Sequence, residues 1–258
     1  MTTLHRSLKF ILLALALAIF SARADEPLRE QTEKLYPLPR GGAVTIEGTD
    51  GSIHVYGWNE PRVRIVALRL AYTAPRLHEI AVETAAQPAS VSVRTHIPPA
   101  HGIFADRSGT VDFTIVAPET ARLELKLVNG EITLQGLRGG SAHAELVNGK
   151  ITALNCVARV RAHSVTGALE VFREWWENFP ASFDFSVGYG TIRARFPESA
   201  QFRVDAETAV GHVSNGFGFK NPARPGRGGK LEAATAADAP VVLHFRTGGG
   251  NISIDSFR

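Results

Sequence analysis

The sequence predicts an all-β fold, and three observations lead to that prediction. Apolar and polar residues alternate over much of the chain beyond residue 24, for example at Leu123, Leu125 and Leu127, as in half-buried strands. No segment beyond residue 24 shows a helical apolar stripe longer than two turns. The motif LVNGEIT at 127–133 returns nineteen residues later as LVNGKIT at 146–152. A unit of two short strands is therefore expected to repeat about every twenty residues.

Residues 1–24 are predicted to be a secretory signal peptide. Arg6 and Lys9 precede an unbroken apolar run of eleven residues, and Ala22 and Ala24 occupy the −3 and −1 positions of a cleavage site. Eleven residues are too few to cross a bilayer as a helix, which takes about 20. We therefore expect an exported protein, periplasmic or secreted, with no transmembrane segment in the mature chain.

Composition and charge exclude several classes of protein. The 258 residues include 28 Lys and Arg against 25 Asp and Glu, and the predicted signal peptide carries three of the bases and no acid. The remainder is formally neutral, so no nucleic-acid partner is expected. A single cysteine, Cys156, excludes an intramolecular disulfide framework and a Cys-rich zinc site, and we expect it to be a small buried residue.

The elements after the leader are assigned from pattern. Residues 25–40 are expected to be irregular, and 41–258 to form a single all-β repeat domain. Within it, 41–58 is predicted to be an N-terminal hairpin cap that turns at Asp50-Gly51. Two segments, 173–180 and 216–240, interrupt the repeat and are interpreted as insertions.

Each predicted unit turns at a glycine that is followed two residues later by an apolar side chain. The predicted structural turns are Gly51, Gly130, Gly149, Gly167, Gly190, Gly211 and Gly250, with Asn129 and Asn148 before two of them. Their successive intervals are 79, 19, 18, 23, 21 and 39 residues. We interpret the first as about four repeats and the last as about two.

Two all-β folds fit this unit. In an antiparallel β-sandwich or meander, the Asn-Gly pairs are two-residue hairpin turns. In a parallel β-solenoid with coils of about twenty residues, they are corners, and equivalent residues of successive coils stack. Only stacking explains why 127–133 and 146–152 match, so the solenoid is favoured. It predicts contacts of Asn129 with Asn148 and of Ile132 with Ile151.

The candidate binding residues lie in the two insertions. Trp175 and Trp176 offer large, rigid contact areas of the kind that bind carbohydrates, membrane interfaces or proteins. The alternative is that this loop folds its aromatic residues back over the stack together with Phe172 and Phe179. The second insertion carries Arg224, Arg227 and Lys230, which either attract a polyanion or form a solvated surface.

No catalytic, metal or cofactor site is predicted. The acidic residues are scattered singly, and the histidines lack metal-ligand spacing. Asp184 and Asp205 are one predicted coil apart and would be neighbours in a stack, although exposed residues on adjacent strands give the same spacing. A Gly-x-Ser-x-Gly elbow is absent from the sequence.

The chain also resembles a known family over about residues 40–256. The segment GSIHVYGWN at 51–59, the VNGxIT units and RTGGGNISID at 246–255 are similar to the "putative adhesin" family of exported bacterial repeat proteins. That family is a domain of unknown function with a β-solenoid-like fold. The resemblance implies envelope association and supplies no catalytic residues.

Three functional hypotheses follow. The first is a non-catalytic exported envelope protein, adhesin-like in binding or acting as a scaffold, whose partner is an envelope protein or a glycan. The second is a carbohydrate-active enzyme, a polysaccharide lyase or hydrolase, on the same scaffold. The third is a sensor or scaffold partner in an envelope-stress system.

Overall fold

The computed structural model of the chain describes residues 26–99, 102, 106–220 and 228–258. The predicted signal peptide, 1–24, lies outside this range. The fold is nearly all-β, as predicted, with sixteen described strands in one sheet and one short described helix. The elements are β1 (Leu28–Pro37), β2 (Ala43–Glu47), β3 (Asp50–Trp58), β4 (Arg62–Ala71), α1 (Ala74–Glu79), β5 (Ala81–Gln87), β6 (Ser90–His96), β7 (Thr110–Pro118), β8 (Arg122–Gln135), β9 (Arg138–Leu154), β10 (Val157–Phe172), β11 (Ala181–Pro197), β12 (Phe202–Thr208), β13 (Val213–Asn215), β14 (Gly229–Ala234), β15 (Val241–Gly249) and β16 (Ile252–Phe257).

The long strands β8, β9, β10 and β11 each contain a glycine at which one strand segment gives way to the next. We call the segments before these glycines the front row and the segments after them the rear row. In spatial order the front row is β5, β6, β2, the first segments of β8 to β11, β15, β12 and β14. The rear row is β1, β4, β7, β3, the second segments of β8 to β11, β16 and β13. The sheet is mixed, because pairing is parallel in its middle and antiparallel near its ends.

Repeated residues lie opposite one another in the parallel part of the sheet. Ile132 pairs with Ile151, and Asn129 pairs with Asn148. The Asn148 Nδ2 donates to the Asn129 Oδ1 at 3.0 Å, and the Asn129 Nδ2 donates to Asp50 Oδ1 at 2.8 Å. Both predicted contacts are therefore confirmed, and β8 and β9 pair in parallel rather than as a hairpin.

The corner glycines form a ladder in which each backbone lies against the next. Gly149 has φ +136°, and a Cβ at this residue would lie 1.9 Å from the Gly130 carbonyl oxygen. A side chain is therefore excluded by backbone conformation and by space together. The ladder runs in the spatial order Gly51, Gly130, Gly149, Gly167, Gly190, Gly250, Gly211.

That order corrects the interpretation of the two long intervals. Gly51 lies directly beside Gly130, although 79 residues separate them in sequence, because the strands from β4 to β7 that come between them in the chain extend both rows on the other side of β2 and β3. Gly250 lies between Gly190 and Gly211, because β15 and β16 insert between β11 and the pair β12 and β13. Neither interval is a multiple of the repeat.

Two predictions about the N-terminal region are wrong. Residues 41–58 do not form a hairpin, since β2 and β3 each pair in parallel with β8 and so make the first unit of the stack. The segment 25–40 is not irregular, since Leu28–Pro37 is a strand paired antiparallel with β4. Most of this edge strand is exposed, and it therefore lacks the apolar alternation by which a strand is recognised.

The inward side chains of both rows form one contiguous apolar cluster. Ile132, Ile151 and Phe185 are fully buried in it, as is Cys156. The outward side chains alternate with them along each strand. The surface of the front row therefore consists of lines of side chains that run across the strands.

Candidate functional site

The tryptophan loop, residues 173–180, connects the rear-row end of β10 to the front-row start of β11. Side chains from two neighbouring segments, Arg138 and Asn155, hold it in position. Arg138 donates two hydrogen bonds to the Glu177 carboxylate, at 3.0 and 2.5 Å, and these hydrogen bonds lower the pKa of Glu177. The Asn155 side chain accepts from the Glu174 backbone N at 2.8 Å. The loop is thus anchored at two points.

The two predicted tryptophans have different environments. Trp175 is 48% exposed, and its Nε1 donates to Glu177 Oε1 at 3.1 Å. Trp176 packs edge-on against Phe196, with ring centroids 5.7 Å apart, and is partly buried against the core. We therefore assign Trp176 to packing, and Trp175 remains a candidate contact residue.

Phe179 is a further exposed aromatic residue of the loop, which sequence reasoning placed among the residues that fold back. It is 56% exposed, and the Arg138 guanidinium lies 5.9 Å from its ring centroid. Phe172, by contrast, packs at 5.5 Å against Phe257. The loop therefore presents Trp175 and Phe179 outward and covers the stack with Trp176.

Beneath the loop lies a buried guanidinium with an incomplete set of partners. Arg173 is 1% exposed, and its carbon Cζ lies 4.4 Å from the Trp176 ring centroid. Within the described part of the chain, neither Arg173 Nη1 nor Trp176 Nε1 has a hydrogen-bond acceptor. Burial lowers the pKa of Arg173. Arg173 Nη2 donates to the Glu177 carbonyl oxygen at 3.4 Å, so packing on Trp176 and this hydrogen bond hold the loop rather than an ion pair.

The predicted basic insertion is only partly within the described residues. Arg224 and Arg227 lie outside them. Lys230 lies on edge strand β14 and forms an ion pair with Glu232, whose hydrogen bond raises the pKa of the lysine. Lys230 is therefore part of a paired strand surface.

A line of side chains that the sequence reading missed lies beside the tryptophan loop. It is formed by the outward residue eight positions before each corner glycine, on β8, β9, β10, β11, β15 and β12, and we call it the arginine row. In spatial order it comprises Arg122, Ser141, Arg159, Ser182, Val242 and Arg203. The row contains no acid. Ser182 is two residues beyond the end of the loop.

The three arginines of this row are exposed and unpaired. Arg122, Arg159 and Arg203 form no side-chain hydrogen bond or ion pair with any residue that the structure describes. Each lies eight residues before its corner glycine, as do the serines between them. Counting back from these glycines would have found the row from sequence.

The neighbouring lines of the same face carry both signs of charge and are largely paired. His143 Nδ1 lies 3.1 Å from Glu124 Oε2, and Lys126 Nζ lies 3.1 Å from Glu145 Oε2. Because acids and bases alternate there, their fields largely cancel. Arg161 has no side-chain partner among the described residues either, but it lies opposite Asp184. The arginine row is therefore the line of the face that carries positive charge without an acid.

Asp184 and Asp205 are not direct neighbours. Strand β15 lies between them, and His244 is the cross-strand neighbour of both. The hydrogen bond from Arg246 lowers the pKa of Asp205. Glycoside hydrolysis requires one carboxyl group with a raised pKa. Among the described residues there is also no group of three side chains suited to holding a metal ion.

Comparison with known proteins shows similarity of shape alone. No protein-family model matches the chain, and no curated protein matches its sequence. A solved "putative cell adhesion protein" from Clostridium sporogenes is 10% identical, with a TM-score of 0.49, covering 88% of this chain and 100% of that one. A "putative adhesin" from Bacteroides fragilis is 13% identical, with a TM-score of 0.30, covering 87% of this chain and 97% of its own.

A "putative lipid binding protein" from Parabacteroides distasonis is 6% identical, with a TM-score of 0.28, covering 89% of this chain and 97% of its own. At such identities and scores, the likeness assigns neither a ligand nor an activity. Among the described residues, no helix has the length and apolar character needed to cross a membrane.

Proposed function

We propose that this chain is an exported, non-catalytic binding protein of the cell envelope, adhesin-like in its role, whose coils stack as a parallel β-solenoid. The in-register pairing of Gly130 with Gly149 and of Ile132 with Ile151 supports the solenoid. In this proposal residues 1–24 are removed before Asp25, and 41–258 form one repeat domain. The partner is an envelope protein or a glycan.

The observation that carries the binding role is a pair of exposed aromatic side chains on an anchored loop. Trp175 and Phe179 are each about half exposed, and the Arg138–Glu177 contact holds the segment between them. Exposed aromatic residues add little to the stability of a folded chain but are the anchors of many interfaces. A loop fixed before binding loses less conformational entropy when the ligand arrives. This arrangement is suited to recognition.

The absence of catalysis in this proposal rests on the acids of the described residues. Asp184 and Asp205, which the sequence brought closest to an enzymatic pair, lie on an exposed strand face with a strand between them. The lowered pKa of Asp205 favours its ionised form, which cannot act as a general acid at neutral pH. The enzymatic alternative is accordingly not adopted.

A site-specific crosslinking experiment tests the proposal in the intact envelope. A photoreactive phenylalanine analogue replaces Trp175 in one variant and Tyr189, which is 71% exposed at the glycine corner, in the control. The proposal expects a discrete adduct from position 175 and none from 189. A third variant carries the photoreactive residue at position 178 of the loop in an otherwise wild-type chain. Its adduct should disappear when W175A and F179A are added.

Equal crosslinking from positions 175 and 189 would overturn the binding role of the loop. The chemical nature of the adduct, protein or glycan, separates a scaffold or sensor from an adhesin-like protein. Mass spectrometry of the exported chain tests the proposed export and signal-peptide cleavage, since the mature chain should begin at Asp25.

A further inference from the structure

We propose that the arginine row binds the carboxylate groups of a linear acidic polysaccharide laid across the front-row strands. This inference rests on the binding function proposed above, but it uses a different set of residues. The row is the line of the front face that carries unpaired positive charge and no acid among the described residues; Arg161, which is also unpaired, lies in the next line opposite Asp184. The ligand class follows from the spacing, the chemistry and the surroundings of these side chains.

The row has the geometry of a linear track. Arg122 and Arg159 lie two strands apart, which is about 10 Å, and Arg203 lies three strands further, about 14 Å. The line runs across the strands and therefore along the stack. A ligand that contacts all three arginines must be extended, with negative charges at intervals.

The side chains of the row suit carboxylates on a sugar chain. A guanidinium group donates two parallel hydrogen bonds to a carboxylate, which fixes its orientation as well as its charge. Ser141 and Ser182 lie between the arginines, and their hydroxyls can both donate to and accept from sugar hydroxyls. A polysaccharide presents both kinds of group along one extended chain.

The surroundings argue against a membrane as the occupant. Apart from Val242, the row from Arg122 to Arg203 is polar, so it offers little to insert among acyl chains. The exposed aromatic residues lie beyond one edge of the row, where Phe179 stacks against Arg138. In that position an aromatic ring can pack against a sugar ring of the same ligand.

The test measures binding of the full exported chain to immobilised polygalacturonate, with neutral dextran as the reference surface. We expect saturable binding to polygalacturonate and none to dextran. Raising the salt from 0.1 to 1 M shortens the screening length from about 10 to about 3 Å and should abolish the binding.

The decisive variant is R122A/R159A/R203A, which should bind about tenfold more weakly, because it removes three exposed charge contacts. The control R29A/R193A/R195A removes the same number of arginines from the outer face of the rear row, where Arg193 lies near Asp255 and Arg195 lies over the Phe172 ring. The control should bind within about twofold of the wild type. If the triple variant does not fold, R159E alone should weaken binding roughly fivefold.

Three results would overturn the proposal. They are equal binding to dextran, equal weakening by the two triple variants, and tighter binding to phosphatidylglycerol vesicles than to polygalacturonate. Failure here is distinguishable from failure of the proposed function. Loss of the arginine row should leave a protein adduct at position 175 intact, whereas loss of Trp175 should leave the salt dependence of polygalacturonate binding intact.

Discussion

Substitution of the corner glycine Gly149 by alanine tests the physical basis of the fold. The Gly149 backbone has φ +136°, and an added Cβ would lie 1.9 Å from the Gly130 carbonyl oxygen and 2.9 Å from its carbon. Because the obstacle is backbone in a paired strand, no side chain can move aside. The two rows must separate or the ladder must shift.

The expected cost combines two terms. A non-glycine residue in this region of φ costs about 3 kcal/mol, and overpacking against backbone costs about 2 kcal/mol. The sum, about 5 kcal/mol, is comparable with the whole stability of many domains. We therefore expect G149A to unfold at much lower urea concentration than the wild type, or to be unfolded at 25 °C.

The matched control is G139A. Gly139 also has positive φ, +71°, but an added Cβ there would meet nothing within 4 Å. Only the backbone term remains, about 1 kcal/mol for this less restrictive conformation. Urea unfolding followed by circular dichroism gives both values. If G149A loses no more stability than G139A, close stacking of glycine backbones does not determine this fold.

Three further predictions concern ionisable groups. R173M should retain or gain stability in urea unfolding, because a buried guanidinium with an unpaired Nη1 is replaced by an apolar side chain; a large loss would show that its contact with Trp176 outweighs its desolvation. The hydrogen bond from Arg246 lowers the pKa of Asp205 below its ordinary value of 3.8. The pair therefore stabilises the fold at pH values above 3.8, and this contribution is lost as the pH falls below that value. R246M should therefore lose less stability than the wild type between about pH 5 and pH 2.5, and an equal loss would contradict this assignment. Burial raises the pKa of Cys156 to about 11, so iodoacetamide should label it at neutral pH only in denaturant, and rapid labelling of the native chain would refute its burial.

The parts of the fold that sequence predicted are those fixed by local stereochemistry. Gly130 and Gly149 were assigned to turns from the residues around them, and both have positive φ in the structure. The matching of Ile132 with Ile151 predicted their pairing because stacked strands need matching shapes. Cys156 was expected to be buried, and it is.

The parts that sequence missed depend on spatial order. Between Gly51 and Gly130 the chain extends the rows on the other side of β2 and β3 and then returns beside its starting point. No local signal distinguishes such an interval of 79 residues from one that spans four successive repeats. The insertion of β15 between β11 and β12 is equally hidden, because nearest neighbours in space are not successive in sequence. Edge strand β1 was not predicted because most of its side chains are exposed, so its sequence does not alternate between apolar and polar residues.

The tryptophan loop shows the same limit at the scale of side chains. Trp175 and Trp176 are adjacent and chemically identical, so sequence could not assign one to solvent and the other to the core. The assignment depends on residues distant in sequence, since Phe196 packs against Trp176 while Arg138 holds Glu177, which accepts from Trp175. Phe179 faces solvent because Arg138 both anchors the loop and lies against its ring.

Once the spatial order of the corner glycines is known, residues at the same distance in sequence before each glycine can be placed side by side on the front face. Side chains eight residues before a corner glycine form the arginine row, which contains no acid, whereas the positions six and four residues before it contain acids such as Glu124 and Glu145. Backbone register alone therefore separates an uncompensated line of charge from two largely compensated ones. A change in the spacing between Arg159 and Gly167 would move Arg159 out of that line, even if its charge and exposure were preserved. The arginine row and the glycine ladder are thus consequences of one register.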